Sequence, residues 1–352
     1  MRLAVFGGTY SNPYALEALL KDAADRGCER IFCLGDLGGF GAEPDEIWPL
    51  LQQGEVECIA GNYDVAIGRG DADCGCGYRD PQDNEFAQIA YDYTRAHTSA
   101  AFAAWMRTLP TERRLTIDGR ELHLVHGSPI GLNDFFWESL PDAELRRRVE
   151  ASGADIVLCT HSGIPWQRRV GRTLVVNVGV IGRPANDGRT EVWYAVHDGD
   201  QAELVPLTYD WQAQAASMRA AGLPEAFTET IETGWWTTCL QILPPAERAR
   251  GRFHVYRSEG HATDGLGPVP EDDDPERPVV PLFGTALFPR RLWVDHPVLE
   301  DEARDAGFVD VRVGPELPGE LHWRGGDLEA LKRRETERVL SSGGVPRAVS
   351  CT

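Results

Sequence analysis

The way its apolar runs are joined constrains this chain most, because the joins change character partway along. Residues 2–7, 31–34 and 56–60 are short apolar runs separated by stretches with helical character. Asn12-Pro13 offers a cap followed by proline at the first helical position, and that helix is expected to run to about Arg26, where Gly27 ends it. A second helix is expected near 44–53. The spacing of Phe86, Ile89, Tyr93 and Phe102 predicts one long helix from Asn84 to about Thr108, after a polar loop over 68–84. Beyond it the joins become tight turns. RRLTIDGRELHLVHG, Arg113 to Gly127, sets Asp118-Gly119 between two alternating segments, a hairpin signature. Strands at 155–159 and 173–178, hairpins around Asp187-Gly188 and Asp198-Gly199, and a helix at about 210–221 continue the series. Strand–helix–strand units followed by hairpin-linked strands predict an α/β fold in which two mixed sheets form a sandwich flanked by helices.

Past residue 225 the texture shifts again, to TGWWTTCLQILPP, FHVYR and an acidic, proline-rich stretch from Pro268 to Pro278. The expected division is a domain over 1–225 and an extension over 226–352 of unknown role. Trp235, Trp236, Trp293 and Trp323 imply either burial of that extension or an aromatic-lined ligand pocket.

A formal net charge of -20 and a pI near 4.9 argue against nucleic acid or an anionic membrane as partner, since both need a basic surface. A small anionic substrate remains compatible, because one cation in a cleft reverses the local field. The start, MRLAVFGGTY, lacks a signal peptide's apolar core, and no run is long enough for a membrane span, so a cytoplasmic location is expected. The eight cysteines are scattered and read as reduced residues; Cys74 and Cys76 form a C-x-C, with no second pair to complete a zinc site. Arg146-Arg147-Arg148 reads as a solvated helix face.

Four strand-end segments carry metal-ligand chemistry: Asp36 in LGDLGGFG, Asn62 in GNYD, His126 in LVHGSP and His161 in CTHSGIPW. In α/β sheets this end of the strands is where ligands bind. One carboxylate, one amide oxygen and two imidazoles suit Mn, Fe, Zn or Ni better than Ca or Mg. Singly, each has a plain alternative as a turn residue or a histidine satisfied by backbone. Their recurrence after successive strands favours a shared site.

The order GD, GN-x-D, HG and H-x-x-IP, followed by N-x-G and G-R-P, resembles the calcineurin-like metallophosphoesterases, closest to their bacterial predicted-phosphodiesterase branch. SNPYALEALL, GDLGGFGAEPDE and NVGVIGRPANDG extend the likeness over about residues 1–225. The resemblance implies a four-layer αββα sandwich and a two-metal site. One metal would take an Asp-x-His, a bridging Asp and the last His of G-H-x-H; the other would take the bridging Asp, an Asn, a His and the first His of that motif. Here the Asp-x-His position reads Gly8-Thr9-Tyr10 and the G-H-x-H position reads Thr160-His161-Ser162-Gly163. The second set is complete in Asp36, Asn62, His126 and His161. The losses are thus sorted by metal, and one divalent transition metal (Mn, Fe or Zn) is expected.

Where the family has G-N-H-D, this chain has Tyr63 with Asp64 retained, either a modified proton-donating pair or a packed aromatic. Tyr10 fills space or meets substrate, and Arg183, in the G-R-P turn, either meets a phosphate or serves a structural ion pair. The second oxygen of Asp36, no longer needed to bridge, is expected to be free. The leading expectation is a metal-dependent phosphoesterase acting on a small phosphate ester. The alternatives are other mononuclear-metal chemistry, iron redox included, on a non-phosphate substrate, or an inactive binding protein.

Overall fold

The structure, a computed structural model, describes residues 1–199, 201–249, 253–255, 292–294 and 311–313. The chain divides into two compact units, Met1–Ile242 and Leu243–Thr352. Residues 226–242 therefore lie with the N-terminal unit, past the boundary expected at 225.

The first unit runs β1 (Arg2–Phe6), α1 (Pro13–Asp25), β2 (Arg30–Cys33), α2 (Pro44–Gln53), β3 (Glu57–Cys58), α3 (Asn62–Arg69), α4 (Pro81–His97), α5 (Ala100–Met106), β4 (Glu112–Ile117) and β5 (Arg120–Val125). It continues with α6 (Asp142–Ser152), β6 (Ile156–Cys159), β7 (Trp166–Val170), β8 (Thr173–Asn177), β9 (Val192–Asp198), β10 (Gln201–Leu207), α7 (Trp211–Ala220) and α8 (Glu225–Thr233). One five-stranded sheet has the order β10-β9-β1-β2-β3 and the other β4-β5-β6-β8-β7. Both are mixed: β1, β2 and β3 are parallel and β9 and β10 antiparallel, while β5, β6 and β8 are parallel with antiparallel edges.

Strand alternation builds the layers. On β1, Leu3 and Val5 point to the second sheet, where they pack with Leu122, Leu124, Ile156, Leu158 and Val176. Ala4 and Phe6 point outward to Leu16 and Leu19 of α1 and Ile47 of α2. The second sheet's outer face, with Val157, Cys159 and Val175, is covered by Leu145 and Val149 of α6. The result is helix, sheet, sheet, helix, as expected.

Three details depart from expectation. The long helix is two, because Ser99 caps a new helix by accepting the Phe102 N–H. Asp187-Gly188 makes no hairpin: the preceding loop turns back so that Ile181 N–H donates to Gly7 and Gly182 N–H to Gly8, while a hairpin forms earlier in the chain, between β7 and β8. Arg148 is not solvated; it is buried and ion-paired with Asp134 and Glu144.

In the second unit, the described elements are α9 (Pro245–Ala249), β11 (Phe253–Val255), β12 (Leu292–Val294) and β13 (Val311–Val313), the strands forming a sheet in that order. Trp323 and the acidic segment lie outside the described residues, as does Cys351. No helix among the described residues is long and apolar enough to cross a membrane.

Candidate metal centre

The centre is assembled where two turns touch. After β2 the chain passes through Gly35 (φ 90) into Asp36, itself left-handed at φ 58. A Cβ on Gly35 would sit 2.0 Å from the Gly61 nitrogen, so only glycine lets the turns meet. Gly61 opens α3, a helix that sequence reasoning missed although Asp64, three residues on, is a capping signal. The Asp64 carboxylate receives three backbone N–H groups, from Gly61 (2.7 Å), Asp36 (2.8 Å) and Leu37 (2.9 Å), and so pins both turns together. Burial and the adjacent Asp36 carboxylate push its pKa up to about 7, with the Gly61 and Leu37 N–H groups pulling the other way.

Asp36 also caps α3. Its Oδ1 accepts the Tyr63 N–H at 3.1 Å, while its Oδ2 lies 3.3 Å from His126 Nε2. The expectation of a free second oxygen is therefore corrected: the orphan donors of the helix's first turn claim it. Burial opposes ionisation of Asp36, yet the facing imidazoles of His126 and His161 hold its pKa below the usual carboxylate value.

His126 fixes the polarity of the cluster. Its Nδ1 is 2.8 Å from the Leu34 carbonyl, which can only accept, so Nδ1 carries a proton. Nε2 then faces Asn62 Oδ1 at 3.0 Å, His161 Nδ1 at 3.0 Å and Asp36 Oδ2 at 3.3 Å. The Asn62 amide is oriented independently, because its Nδ2 donates to the Cys74 carbonyl at 2.9 Å. Asn62 Oδ1, Asp36 Oδ2 and His126 Nε2 thus crowd together as electron-pair donors. Burial and His126 lower the pKa of His161 to about 3, so that ring is neutral, and its Nε2 is buried with no hydrogen-bond partner among the described residues. A proton on His126 Nε2 could serve one of these neighbours; a cation serves all. The ligand atoms of Asp36, His126 and His161 lie within 4.8 Å of one another, and the residues present fit a divalent metal.

The Cys74-x-Cys76 loop was not expected to matter, and it does. Cys74 and Cys76 are joined as a disulfide, correcting the reading of all eight cysteines as reduced. Besides the Cys74 carbonyl, Cys76 Sγ lies 3.4 Å from Asn62 Nδ2, so this loop sets which end of the amide faces the cluster. Phe135, whose ring centroid is 4.4 Å from that of His161, is a second residue that sequence reasoning missed.

The positions expected to have lost ligands are filled. A Cβ on Gly8 would meet Val180 Cγ1 at 2.5 Å and the Tyr10 ring at 2.9 Å. One on Gly163 would meet the Trp236 ring at 3.4 Å and Arg183 Nη2 at 3.7 Å. Tyr10, Tyr63 and Arg183 line a cavity of about 50 Å³ together with Asp36, Asn62 and His161. Tyr63 and Asp64 are not a hydrogen-bonded pair: the Tyr63 hydroxyl donates to the Ala87 carbonyl at 3.4 Å. Burial raises the pKa of both phenols, so both keep their protons at neutral pH.

Among the described residues Arg183 has no ion-pair partner. It is 7% exposed, its Nε has no hydrogen-bond partner among the described residues, and its guanidinium lies 3.5 Å from the Trp236 ring centroid, 5.6 Å from Phe40 and 5.8 Å from Tyr10. A desolvated cation–π contact is worth about 2 kcal/mol. Taking a charge out of water costs several kcal/mol, so the rings alone leave this cation undercompensated. Trp236 comes from the tryptophan-rich stretch that sequence reasoning assigned to the extension.

One substitution tests the packing beneath the cluster. A Cβ on Gly61 would lie 2.3 Å from Asp36 Oδ1 and 2.8 Å from His126 Cε1, both tethered atoms. Gly61→Ala is expected to weaken metal retention about 10-fold or more, the cost of disturbing ligand support, as read by elemental analysis after gel filtration.

Known proteins share this fold. The uncharacterized protein MJ0912 of Methanocaldococcus jannaschii is 27% identical over 253 residues, 66% of this chain and 98% of that protein. A metallophosphoesterase from Sphaerobacter thermophilus superposes with a TM-score of 0.54 at 24% identity, covering 66% of this chain and 99% of that one. The hypothetical protein PH1004 of Pyrococcus horikoshii OT3 gives 0.57 at 21% identity, covering 67% and 99%. Residues 1–201, more than half of the 352, match the calcineurin-like phosphoesterase superfamily domain, and the chain belongs to that superfamily.

Proposed function

We propose that the protein is a phosphoesterase-type hydrolase that uses one divalent transition metal, held by Asp36, Asn62, His126 and His161, to cleave a small phosphate ester. The observation that carries this reading is the convergence of Asn62 Oδ1, Asp36 Oδ2 and His161 Nδ1 within 3.3 Å of His126 Nε2, beside a cavity that opens on Arg183. The metal supplies Lewis acidity for a developing phosphoryl charge.

The chain's own groups supply the rest. Leu34 and Cys74 hold the His126 ring and the Asn62 amide in their ligating orientations. The protonated Tyr10 phenol offers a hydrogen-bond donor to an oxygen in the cavity. At about 50 Å³ the cavity has room for about four waters, or one phosphoryl group, and is far below the ~300 Å³ of an ordinary ligand pocket. The organic part of the ester therefore stays outside it.

The test is elemental analysis of protein purified without added metal, followed by assay on aryl phosphate mono- and diesters. One Mn, Fe or Zn per chain is expected, with turnover that requires it. Asn62→Ala should remove both metal and turnover. Two metals per chain, or no hydrolysis by loaded protein across the panel, would overturn the reading. A single iron with an oxygen-sensitive spectrum and no esterase activity would favour redox chemistry at the same four ligands.

A further inference from the structure

We propose that Arg183, clamped by Trp236, is an oxyanion-binding residue: a cation built into the wall that takes one oxygen of a tetrahedral anion whose other oxygens face the metal cluster. The inference rests on the reading of the site as one for phosphate esters, and it adds the residue that recognises their charge.

Burial is the first argument. Arg183 is 7% exposed, its Nε has no hydrogen-bond partner among the described residues, and the Trp236, Phe40 and Tyr10 rings lie around its guanidinium. A guanidinium presents five N–H donors in a planar fork suited to phosphate oxygens. Ring faces stabilise the cation but accept no in-plane hydrogen bond, and the buried Nε–H is left without a partner among the described residues. An anion entering the cavity would satisfy it.

Placement is the second. Arg183 and the ligand residues Asp36, Asn62 and His161 line the same cavity, so one small anion can touch both. Trp236 determines how the guanidinium is presented. Its indole N–H donates to the Pro184 carbonyl at 2.7 Å and its backbone N–H to Asn186 Oδ1 at 3.0 Å, which ties it to the chain just beyond Arg183. Gly163 borders this stack, a Cβ there coming into ordinary contact with the indole at 3.4 Å and with Arg183 Nη2 at 3.7 Å. Trp236 lies outside residues 1–201 that match the superfamily domain. It acts as a positioning residue through Arg183.

The experiment is calorimetric titration of metal-loaded, full-length protein with inorganic phosphate. Wild-type protein should bind it, Arg183→Met should lose at least tenfold in affinity, and Arg183→Lys should be intermediate because the planar fork is lost while the charge is kept. Metal content after loading should not change in either variant. Trp236→Leu should weaken phosphate binding less than Arg183→Met does. Absence of phosphate binding by wild-type protein, or equal binding by Arg183→Met, overturns the proposal. Should Arg183→Met fail to fold, a crystal structure of wild-type protein with phosphate decides: the anion bonded to the Arg183 guanidinium supports the proposal, and an anion elsewhere overturns it. Phosphate bound through Arg183 in a protein that hydrolyses no ester would refute the hydrolase reading alone. Hydrolysis unaffected by Arg183→Met would refute this inference alone.

Discussion

His126→Ala is expected to leave the proposed site unable to hold a metal. The imidazole Nε2 is the point on which Asn62, His161 and Asp36 converge at 3.0, 3.0 and 3.3 Å, and alanine removes that ligand atom from the middle of the cluster. Loss of a mere supporting partner costs about 10–100-fold in metal affinity, and loss of a ligand should exceed it. Metal per chain after dialysis should fall from one to background. A second readout follows from linkage: a ligand that binds only the folded state stabilises it in proportion to RT ln(1 + [L]/Kd). Added Mn or Zn should raise the melting temperature of wild-type protein and leave that of the variant unmoved. Stoichiometric metal in His126→Ala would show that these four side chains are not the binding site.

Asp64→Ala should damage folding more than chemistry. Its carboxylate accepts the N–H groups of Gly61, Asp36 and Leu37, all buried. Leaving a buried donor unpaired costs about 1–3 kcal/mol, so three together amount to at least about 3 kcal/mol. That is a large share of the ~5–15 kcal/mol that keeps a domain folded. Denaturant titration should show an unfolding free energy lower by that amount, read as an earlier midpoint at unchanged slope. Asp64→Asn should also be costly, since its amide turns an N–H₂ toward groups that are themselves donors. If Asp64 served chiefly to orient the Tyr63 phenol, stability would barely move in either variant.

The layered fold could be read from sequence because it follows from local rules: alternation on β1, Pro13 at the start of α1 and Asp118-Gly119 between β4 and β5 all act within a few residues. The four ligand candidates could be read because each follows an apolar strand. What escaped notice depends on contacts between distant residues. Nothing local tells that Cys74, twelve positions from Asn62, orients its amide, or that Trp236 covers Arg183 from fifty-three positions away. Asp64 misled for a different reason. Its neighbour in sequence, Tyr63, invited a paired role, whereas helix geometry turns the carboxylate back onto the two turns. The hairpin at Asp187-Gly188 failed because a turn signal needs two pairing strands, and the residues before it instead cross over Gly7 and Gly8.

The close of the first unit at Ile242 bears on how the protein could be divided or fused. Asp83, on α4, accepts the Gln241 and Ile242 N–H groups at 3.0 and 3.2 Å, fastening the segment that carries Trp236 and Cys239. A fragment cut at the sequence-based boundary of 225 would keep all four proposed metal ligands and still lose the wall that shields Arg183, leaving an open, solvated cleft. The smallest piece with the wall around Arg183 intact ends seventeen residues later, and a tag or fusion partner belongs beyond that point.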